Sequence, residues 1–202
     1  MTWEEAWQEG RTGWDAGAPA PALIDFLEGG TDWGGKALVP GCGAGYDVFA
    51  LARHGFEAHG LDIAPSVVQV FEGKRDEASI SADQAKILIE DFFSWTPAAP
   101  YDLIWDYTFL CAIQPERREA WVERMSTLLA DTGRLVTLIF PVDPSNPSPS
   151  TSDEPGPPFR LHPDFVTDLL AERFERESLE EVHRSHEGRG GKEWLAVWRK
   201  RA

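Results

Sequence analysis

The sequence has few cysteines, few basic residues and no long apolar run. Two cysteines among 202 residues exclude a fold held together by several disulfides. The 19 basic residues are outnumbered by 34 acidic ones, and the resulting charge of −15 repels nucleic acid. No stretch reaches the length of a membrane span, and the residues after Met1 lack the basic start and apolar run of a signal peptide. These absences predict a cytoplasmic protein with reduced thiols and with no nucleic-acid or membrane partner.

The order of apolar and amphipathic stretches predicts a doubly wound α/β fold. A length of 202 residues fits a single domain, 1–202, with its own core. The predicted strands are Lys36–Pro40, Glu57–Asp62, Ala85–Asp91, Tyr101–Thr108, Gly133–Pro141, Arg176–Val182 and Trp194–Arg199. The predicted helices are Tyr46–His54, Ser66–Glu77, Pro115–Ala130 and a helix near Pro163–Arg173, with Ser66 as a helix cap. Because only the turn at Gly188–Gly191 separates the last two strands, we expect a seven-stranded, mostly parallel sheet with an antiparallel terminal hairpin.

Two regions lie outside this alternation. The first is the N-terminal segment 1–30, which contains Trp3, Trp7 and Trp14. The second is the segment 141–159, which contains seven of the fifteen prolines. A loop of this length in a compact domain is either functional or disordered. Since it begins at the carboxyl end of the predicted fifth strand, where open α/β sheets bind ligands, we predict a lid or substrate loop.

The loop after the first predicted strand is rich in glycine. Gly41, Gly43 and Gly45 let the backbone turn tightly and approach a ligand, and the helix that follows offers free N-terminal amides. A dinucleotide fingerprint needs a glycine at position 46, and the presence of Tyr46 opposes a nicotinamide dehydrogenase. The loop is therefore of the GxGxG type, and a glycine turn that only reverses the chain remains the alternative.

Two acidic residues end the second and third predicted strands. Asp62 lies roughly 20 residues beyond the glycines, where a carboxylate can accept hydrogen bonds from both hydroxyls of a ribose. Asp91 is followed by Phe92, a pair that can accept from an adenine amino group and pack against its ring. A turn-forming role for Asp62 and a core position for Phe92 stay open as alternatives.

Seven blocks of residues form a recognisable set. They are WEEAW at 3–7, WDAG at 14–17, VPGCG at 39–43, GLDI at 60–63, DF at 91–92, DYTFLCAI at 106–113 and GPPF at 156–159. Together they resemble the thiopurine S-methyltransferase family, in particular its thiol and halide methyltransferase branch. The glycine loop alone marks only the class I methyltransferase superfamily, whereas the tryptophan block, the segment 106–113 and GPPF are more specific together.

This resemblance implies a Rossmann-like methyltransferase fold with S-adenosylmethionine (SAM) as methyl donor and S-adenosylhomocysteine (SAH) as product. It implies SAM contacts from Gly41, Cys42, Gly43, Asp62, Ile63, Asp91, Phe92 and Tyr107, and a cover formed by Trp3, Trp7 and Trp14. Trp3 and Trp7 lie four residues apart and share one face of a predicted helix, and indole rings attract a sulfonium cation. Packing of an N-terminal helix onto the core is the alternative explanation of these tryptophans.

The implied reaction is methyl transfer to a small nucleophile, in the first place a thiol, bisulfide or halide. Because such acceptors are already strong nucleophiles, we expect neither a catalytic triad nor a metal. Tyr107 is predicted to lie nearest the transferred methyl group and to orient the acceptor. Asp106 is predicted either to assist thiol deprotonation or to be structural. His183 and His186 are predicted to lie on the surface.

Other acceptors and one non-enzymatic function remain open. Thiopurines, aryl thiols and selenium or tellurium compounds are alternative acceptors within the same family. The segment 106–109 is not the NPPY-like run that is usual in methyltransferases of nucleobase amines. The alternative from another class is a non-catalytic SAM-binding module. Asp143–Glu154 is longer and richer in proline and serine than the family pattern, which leaves the acceptor open. We expect a monomer whose partner is a small-molecule methyl acceptor.

Overall fold

The computed structural model describes residues 2–30 and 33–201. Within these residues, strands and helices alternate as the sequence predicts. The strands are β1 (Gly35–Pro40), β2 (Phe56–Asp62), β3 (Ala85–Ile89), β4 (Tyr101–Tyr107), β5 (Leu129–Ile139), β6 (Phe174–Glu181) and β7 (Trp194–Lys200). The α-helices are α1 (Trp3–Gln8), α2 (Pro21–Glu28), α3 (Tyr46–Arg53), α4 (Val67–Glu77), α5 (Arg118–Leu128) and α6 (Pro163–Leu170). No helix in these ranges combines the length and the apolar character needed to cross a membrane.

The strands form one seven-stranded sheet in the order β3-β2-β1-β4-β5-β7-β6. The pairs β1–β2, β2–β3 and β4–β5 are parallel, whereas β7 runs antiparallel to both β5 and β6. This topology confirms the predicted α/β fold with its antiparallel terminal hairpin. β1 and β4 contain runs of consecutive buried residues, as expected of parallel strands that are covered on both faces, whereas burial alternates along the first half of β2 and most of β3 is half-buried.

The chain divides into two compact units, the first ending at Thr96 and the second beginning at Pro97. The core of the first unit includes Leu38, Leu51 and Phe71, and that of the second includes Trp105, Trp121 and Trp198, all of them fully buried. Each unit therefore has its own apolar core. The prediction of a single domain over 1–202 stays a prediction.

Two local expectations differ from the structure. The predicted helix at Pro115–Ala130 is a 3₁₀ turn over Pro115–Arg117 followed by α5, and β5 begins directly afterwards at Leu129. Ser66 precedes α4, but its own backbone is already helical and its side chain makes no cap. Its hydroxyl donates instead to Oε2 of Glu4 at 2.9 Å, and its amide donates to the same oxygen at 3.0 Å. Ser66 therefore holds α1 rather than capping α4.

Candidate active site

The loop between β1 and α3 turns through backbone conformations that favour glycine. Gly41, Gly43 and Gly45 have φ angles of 61°, 50° and 87°, a region that residues with a Cβ rarely adopt. The amide of Cys42 donates to the carbonyl of Leu61 at 3.1 Å. This bond ties the glycine loop (residues 41–45) to the end of β2. The loop thus presents a main chain with few side-chain atoms at the carboxyl end of two parallel strands, as the sequence predicts.

Asp62, the last residue of β2, is hydrogen-bonded to the glycine loop through its side chain. Its Oδ2 accepts from the amide of Gly43 at 3.0 Å, and its Oδ1 accepts from the amide of Ala64 at 3.0 Å. The residue is 9% exposed, and burial raises the pKa of its carboxyl although the backbone hydrogen bonds act in the opposite direction. Each carboxylate oxygen can accept more than one hydrogen bond. Asp62 can therefore hold the loop and accept a ligand hydroxyl at the same time.

The residues that follow β2 and β3 differ in how exposed their side chains are, and so in how much surface a ligand could contact. Ile63 is 55% exposed, so its apolar side chain is available for packing. Asp91 uses Oδ1 to accept from the amide of Phe93 at 2.9 Å, which closes a short turn. Phe92 is only 4% exposed and lies edge-on to Phe93, with ring centroids 5.2 Å apart. Of these three predicted SAM contacts, Ile63 thus has the largest exposed fraction and Phe92 the smallest.

The three N-terminal tryptophans form one aromatic cluster. Trp14 lies edge-on to both Trp3 and Trp7, with centroid distances of 5.2 and 6.0 Å. Trp7 is the member in contact with the glycine loop, because a Cβ built on Gly43 lies 3.2 Å from its ring. Since Ser66 holds α1 in place, the tryptophan cluster (Trp3, Trp7 and Trp14) is fixed against the loop that the sequence predicts to bind the cofactor.

In the second compact unit, Tyr107 ends β4 with its hydroxyl held by two partners. The hydroxyl donates to Oε1 of Glu193 at 2.5 Å and accepts from Nη1 of Arg189. The ring of His186 stacks on the Tyr107 ring with an interplanar angle of 16° and a centroid distance of 6.4 Å. Burial and the bond to Glu193 raise the pKa of Tyr107, so the phenol stays protonated at neutral pH.

Glu193 and Arg189 are functional candidates that the sequence analysis missed. They belong to the connection between β6 and β7, and the antiparallel pairing of Ile139 with Trp194 brings this connection to the end of β5. His186 is only partly exposed and stacks on Tyr107, and its pKa is lowered by partial burial and by Arg189. A charged residue immediately before an apolar strand is the one signal that points to Glu193.

Asp106 lies in the core of the second unit. It is 2% exposed, and burial raises its pKa to about 6. Its Oδ1 accepts from the amide of Leu110 at 3.1 Å, and its Oδ2 accepts from the indole Nε1 of Trp121 at 2.9 Å. Both oxygens are thus held by donors of the chain itself. This geometry favours the structural alternative for Asp106 over a role in thiol deprotonation.

Neither cysteine carries an activated thiol. Cys42 and Cys111 are both free, and burial is the main cause that raises their pKa values. The pKa of Cys111 reaches about 12, so its thiol is protonated at neutral pH. In the part of the chain that the structure describes, no three His, Cys, Asp or Glu side chains are grouped so that they could hold a metal ion.

The proline-rich segment 141–159 is hydrogen-bonded to residues outside it at several points. Ser150 and Arg160 exchange hydrogen bonds, from the Ser150 amide to the Arg160 carbonyl and from the Arg160 amide to the Ser150 hydroxyl, each at 2.9 Å. The buried Arg118 at the start of α5 donates to the Ser150 carbonyl at 3.0 Å. At the other end, the amide of Phe159 donates to the carbonyl of Cys111 at 2.7 Å. The role of this segment as a lid stays a prediction.

A model of the thiopurine S-methyltransferase (TPMT) family matches residues 1–200. This chain belongs to the thiopurine S-methyltransferase family. Its relatives include "Probable thiol methyltransferase 2" of Arabidopsis thaliana, 39% identical over 199 residues, with 98% of this chain and 84% of the relative covered. Thiocyanate methyltransferase 1 of Brassica oleracea is 38% identical over 202 residues with the same coverage. The thiopurine S-methyltransferase of Marinobacter nauticus is 26% identical over 189 residues, which are 86% of this chain and 82% of the relative.

Solved structures of SAM-dependent methyltransferases share the fold of this TPMT-family chain. The glycopeptide N-methyltransferase MtfA, solved with SAM, superposes with a TM-score of 0.73 at 14% identity, covering 90% of this chain and 94% of that one. A TehB-like SAM-dependent methyltransferase from Corynebacterium glutamicum gives a TM-score of 0.65 at 19% identity, covering 98% and 97%. At these identities the likeness shows the fold, which is the Rossmann-like methyltransferase fold that the sequence predicts.

Family membership makes this chain a SAM-dependent methyltransferase that acts on a small molecule. The first compact unit fits the cofactor. At Gly43 a side chain would press on Trp7 and fill the space beside the loop, and Asp62 keeps acceptor capacity for ribose hydroxyls. The tryptophan cluster offers the π surfaces that attract a sulfonium cation.

Proposed function

We propose that this methyltransferase acts on a small, soft anion: a thiolate, bisulfide, thiocyanate or halide. The observation that carries the proposal is the closer likeness to thiol and thiocyanate methyltransferases, at 39% and 38% identity, than to thiopurine S-methyltransferases, at 26–28%. A cationic Arg189 beside Tyr107 agrees with an anionic acceptor. We also infer a cytoplasmic monomer, because both thiols are free and the net charge of −15 opposes self-association.

The proposed mechanism rests on positioning. When bound, SAM supplies an electrophilic methyl carbon on a sulfonium, so the chain itself needs no covalent intermediate. In this proposal Gly41, Gly43 and Asp62 hold the nucleoside and Ile63 packs against its base. Orientation of two reactants can supply about 7–11 kcal/mol of the barrier. A soft anion brings no proton to remove, which agrees with an Asp106 that is engaged in the core.

A panel of acceptors tests the proposal. The purified chain is incubated with methyl-labelled SAM and one acceptor at a time: thiocyanate, bisulfide, iodide or a thiopurine. We expect labelled volatile products from the first three, and a kcat/KM for the thiopurine that is lower by about tenfold or more, since in this proposal the site is adapted to a small anion. Turnover of the thiopurine with none of the small anions contradicts the proposed acceptor. Binding of SAH without turnover of any acceptor indicates a non-catalytic binding module.

The tryptophan cluster gives a second prediction, on the variant Trp7→Leu. If the indole covers the sulfonium, this variant should bind SAM about tenfold more weakly, because one cation–π contact contributes about 0.5–2 kcal/mol. Its affinity for SAH, which has a neutral sulfur, should fall much less. Calorimetric titration with both ligands measures the two losses separately.

Trp33→Leu is the matched control for this variant. Trp33 packs against Phe26 at a centroid distance of 5.6 Å and belongs to the same compact unit. We expect its SAM and SAH affinities to stay near those of the wild-type chain. Equal losses of SAM and SAH affinity in Trp7→Leu assign the tryptophan to packing alone.

A further inference from the structure

Arg189 is held over an aromatic surface at the end of two strands. Its Nη1 donates to the Tyr107 hydroxyl, and its Cζ lies 5.2 Å from the Tyr107 ring centroid and 4.9 Å from that of Phe140. Tyr107 is the last residue of β4, and Phe140 directly follows β5. In open α/β sheets, ligands bind at these carboxyl ends of parallel strands. The guanidinium thus lies where the fold class places its substrates.

The hydrogen bonds of Tyr107 show which group faces outward. Glu193 is 1% exposed and Tyr107 is 8% exposed, whereas Arg189 is partly exposed. The chain of contacts therefore runs from a buried carboxylate through the phenol to a guanidinium nearer the surface. Because a phenol has one proton and Tyr107 donates it to Glu193, this hydroxyl has none left to donate to an acceptor anion. Of these three residues, Arg189 is the one that carries a positive charge.

We propose that Arg189 is the anion-binding residue of the acceptor site and that Glu193 and Tyr107 position it. This inference rests on the proposed function, and it assigns the enzyme's specificity for an anionic acceptor to one residue. A chain with a net charge of −15 repels small anions at long range, so an anionic acceptor needs a local cation. A guanidinium is weakly hydrated, and it suits thiocyanate, iodide or bisulfide better than a strongly hydrated ammonium does.

The test compares Arg189→Gln with Arg184→Gln. Arg184 is exposed and belongs to the same β6–β7 connection, so both variants remove one positive charge from the same region. We expect Arg189→Gln to raise the KM for thiocyanate by about tenfold or more, with a much smaller change in kcat and in SAH affinity. Arg184→Gln should leave all three quantities near their wild-type values. Arg189→Lys should have a KM for thiocyanate between those of the wild-type chain and Arg189→Gln, because it keeps the positive charge but lacks the planar group.

Binding of thiocyanate to the SAH complex, measured by calorimetry, separates this inference from the proposed function. One outcome is that the wild-type SAH complex binds thiocyanate, that Arg189→Gln does not, and that no methyl group is transferred. This outcome supports Arg189 as the anion-binding residue and contradicts the proposed acceptor. If the wild-type chain methylates thiocyanate and the two glutamine variants have the same KM, Arg189 is not the anion-binding residue. A loss confined to kcat also overturns the inference, since it indicates altered chemistry rather than anion binding.

Discussion

Replacing Gly45 by alanine should lower the free energy of unfolding by about 2–5 kcal/mol. Gly45 has a φ of 87°, and forcing a residue with a Cβ into this region costs about 1–2 kcal/mol. The added Cβ would also lie 2.4 Å from the ring of Phe71, which is fully buried, and overpacking of this kind costs about 1–3 kcal/mol. Urea denaturation followed by circular dichroism measures the difference.

Gly73→Ala is the control for this substitution. Gly73 lies within α4, and a Cβ built there has no atom within 4 Å. Alanine is the better helix former, so we expect this variant to gain about 0.5–1 kcal/mol. The two glycine variants should therefore shift stability in opposite directions. Equal stabilities for Gly45→Ala and the wild-type chain would contradict the described conformation of the glycine loop.

Replacing Asp62 by alanine should weaken SAH binding by about tenfold or more. The loss has two parts, because the carboxylate both accepts from the Gly43 amide and is proposed to accept from the ribose. Its removal leaves the part-buried amide of Gly43 and the buried amide of Ala64 without their acceptor, and an unpaired buried group costs about 1–3 kcal/mol. Calorimetric titration of the folded variant with SAH measures the loss of affinity.

Two further variants separate charge, shape and fold. Asp62→Asn keeps the shape but turns an amide group toward backbone donors, so we expect it to bind SAH as weakly as Asp62→Ala. Asp76→Ala removes an exposed carboxylate from α4 and should bind SAH like the wild-type chain. Wild-type affinity in Asp62→Ala, together with an intact fold, would remove Asp62 from the cofactor site.

The fold could be predicted because strands such as β1 and β4 contain runs of consecutive buried residues. For β1, β2 and β4 the predicted and observed limits differ by no more than one residue at either end. The start of β5 was predicted too late, at Gly133 instead of Leu129, because Asp131 and Thr132 interrupt the apolar pattern. Where polar residues interrupt the first part of a strand, as they do in β5, the sequence does not show at which residue the strand begins.

The candidate residues of the two compact units differ in how far the sequence reveals them. Asp62 follows the glycines at a recognisable spacing in one βαβ unit, and the structure brings its carboxylate to the Gly43 amide of the glycine loop. Glu193 and Arg189 lie 86 and 82 residues from Tyr107 in sequence. Only the antiparallel register of β7 brings them to the end of β4 and β5, and no local pattern encodes that register.

Calorimetric titration of the wild-type chain with SAH is the most direct test of the central claim, which is that the glycine loop and Asp62 bind the nucleoside of the methyl donor. We predict one saturable site per chain, and an affinity that falls by about tenfold or more in Asp62→Ala and not in Asp76→Ala. No saturable binding of SAH or SAM to the folded wild-type chain would contradict the account.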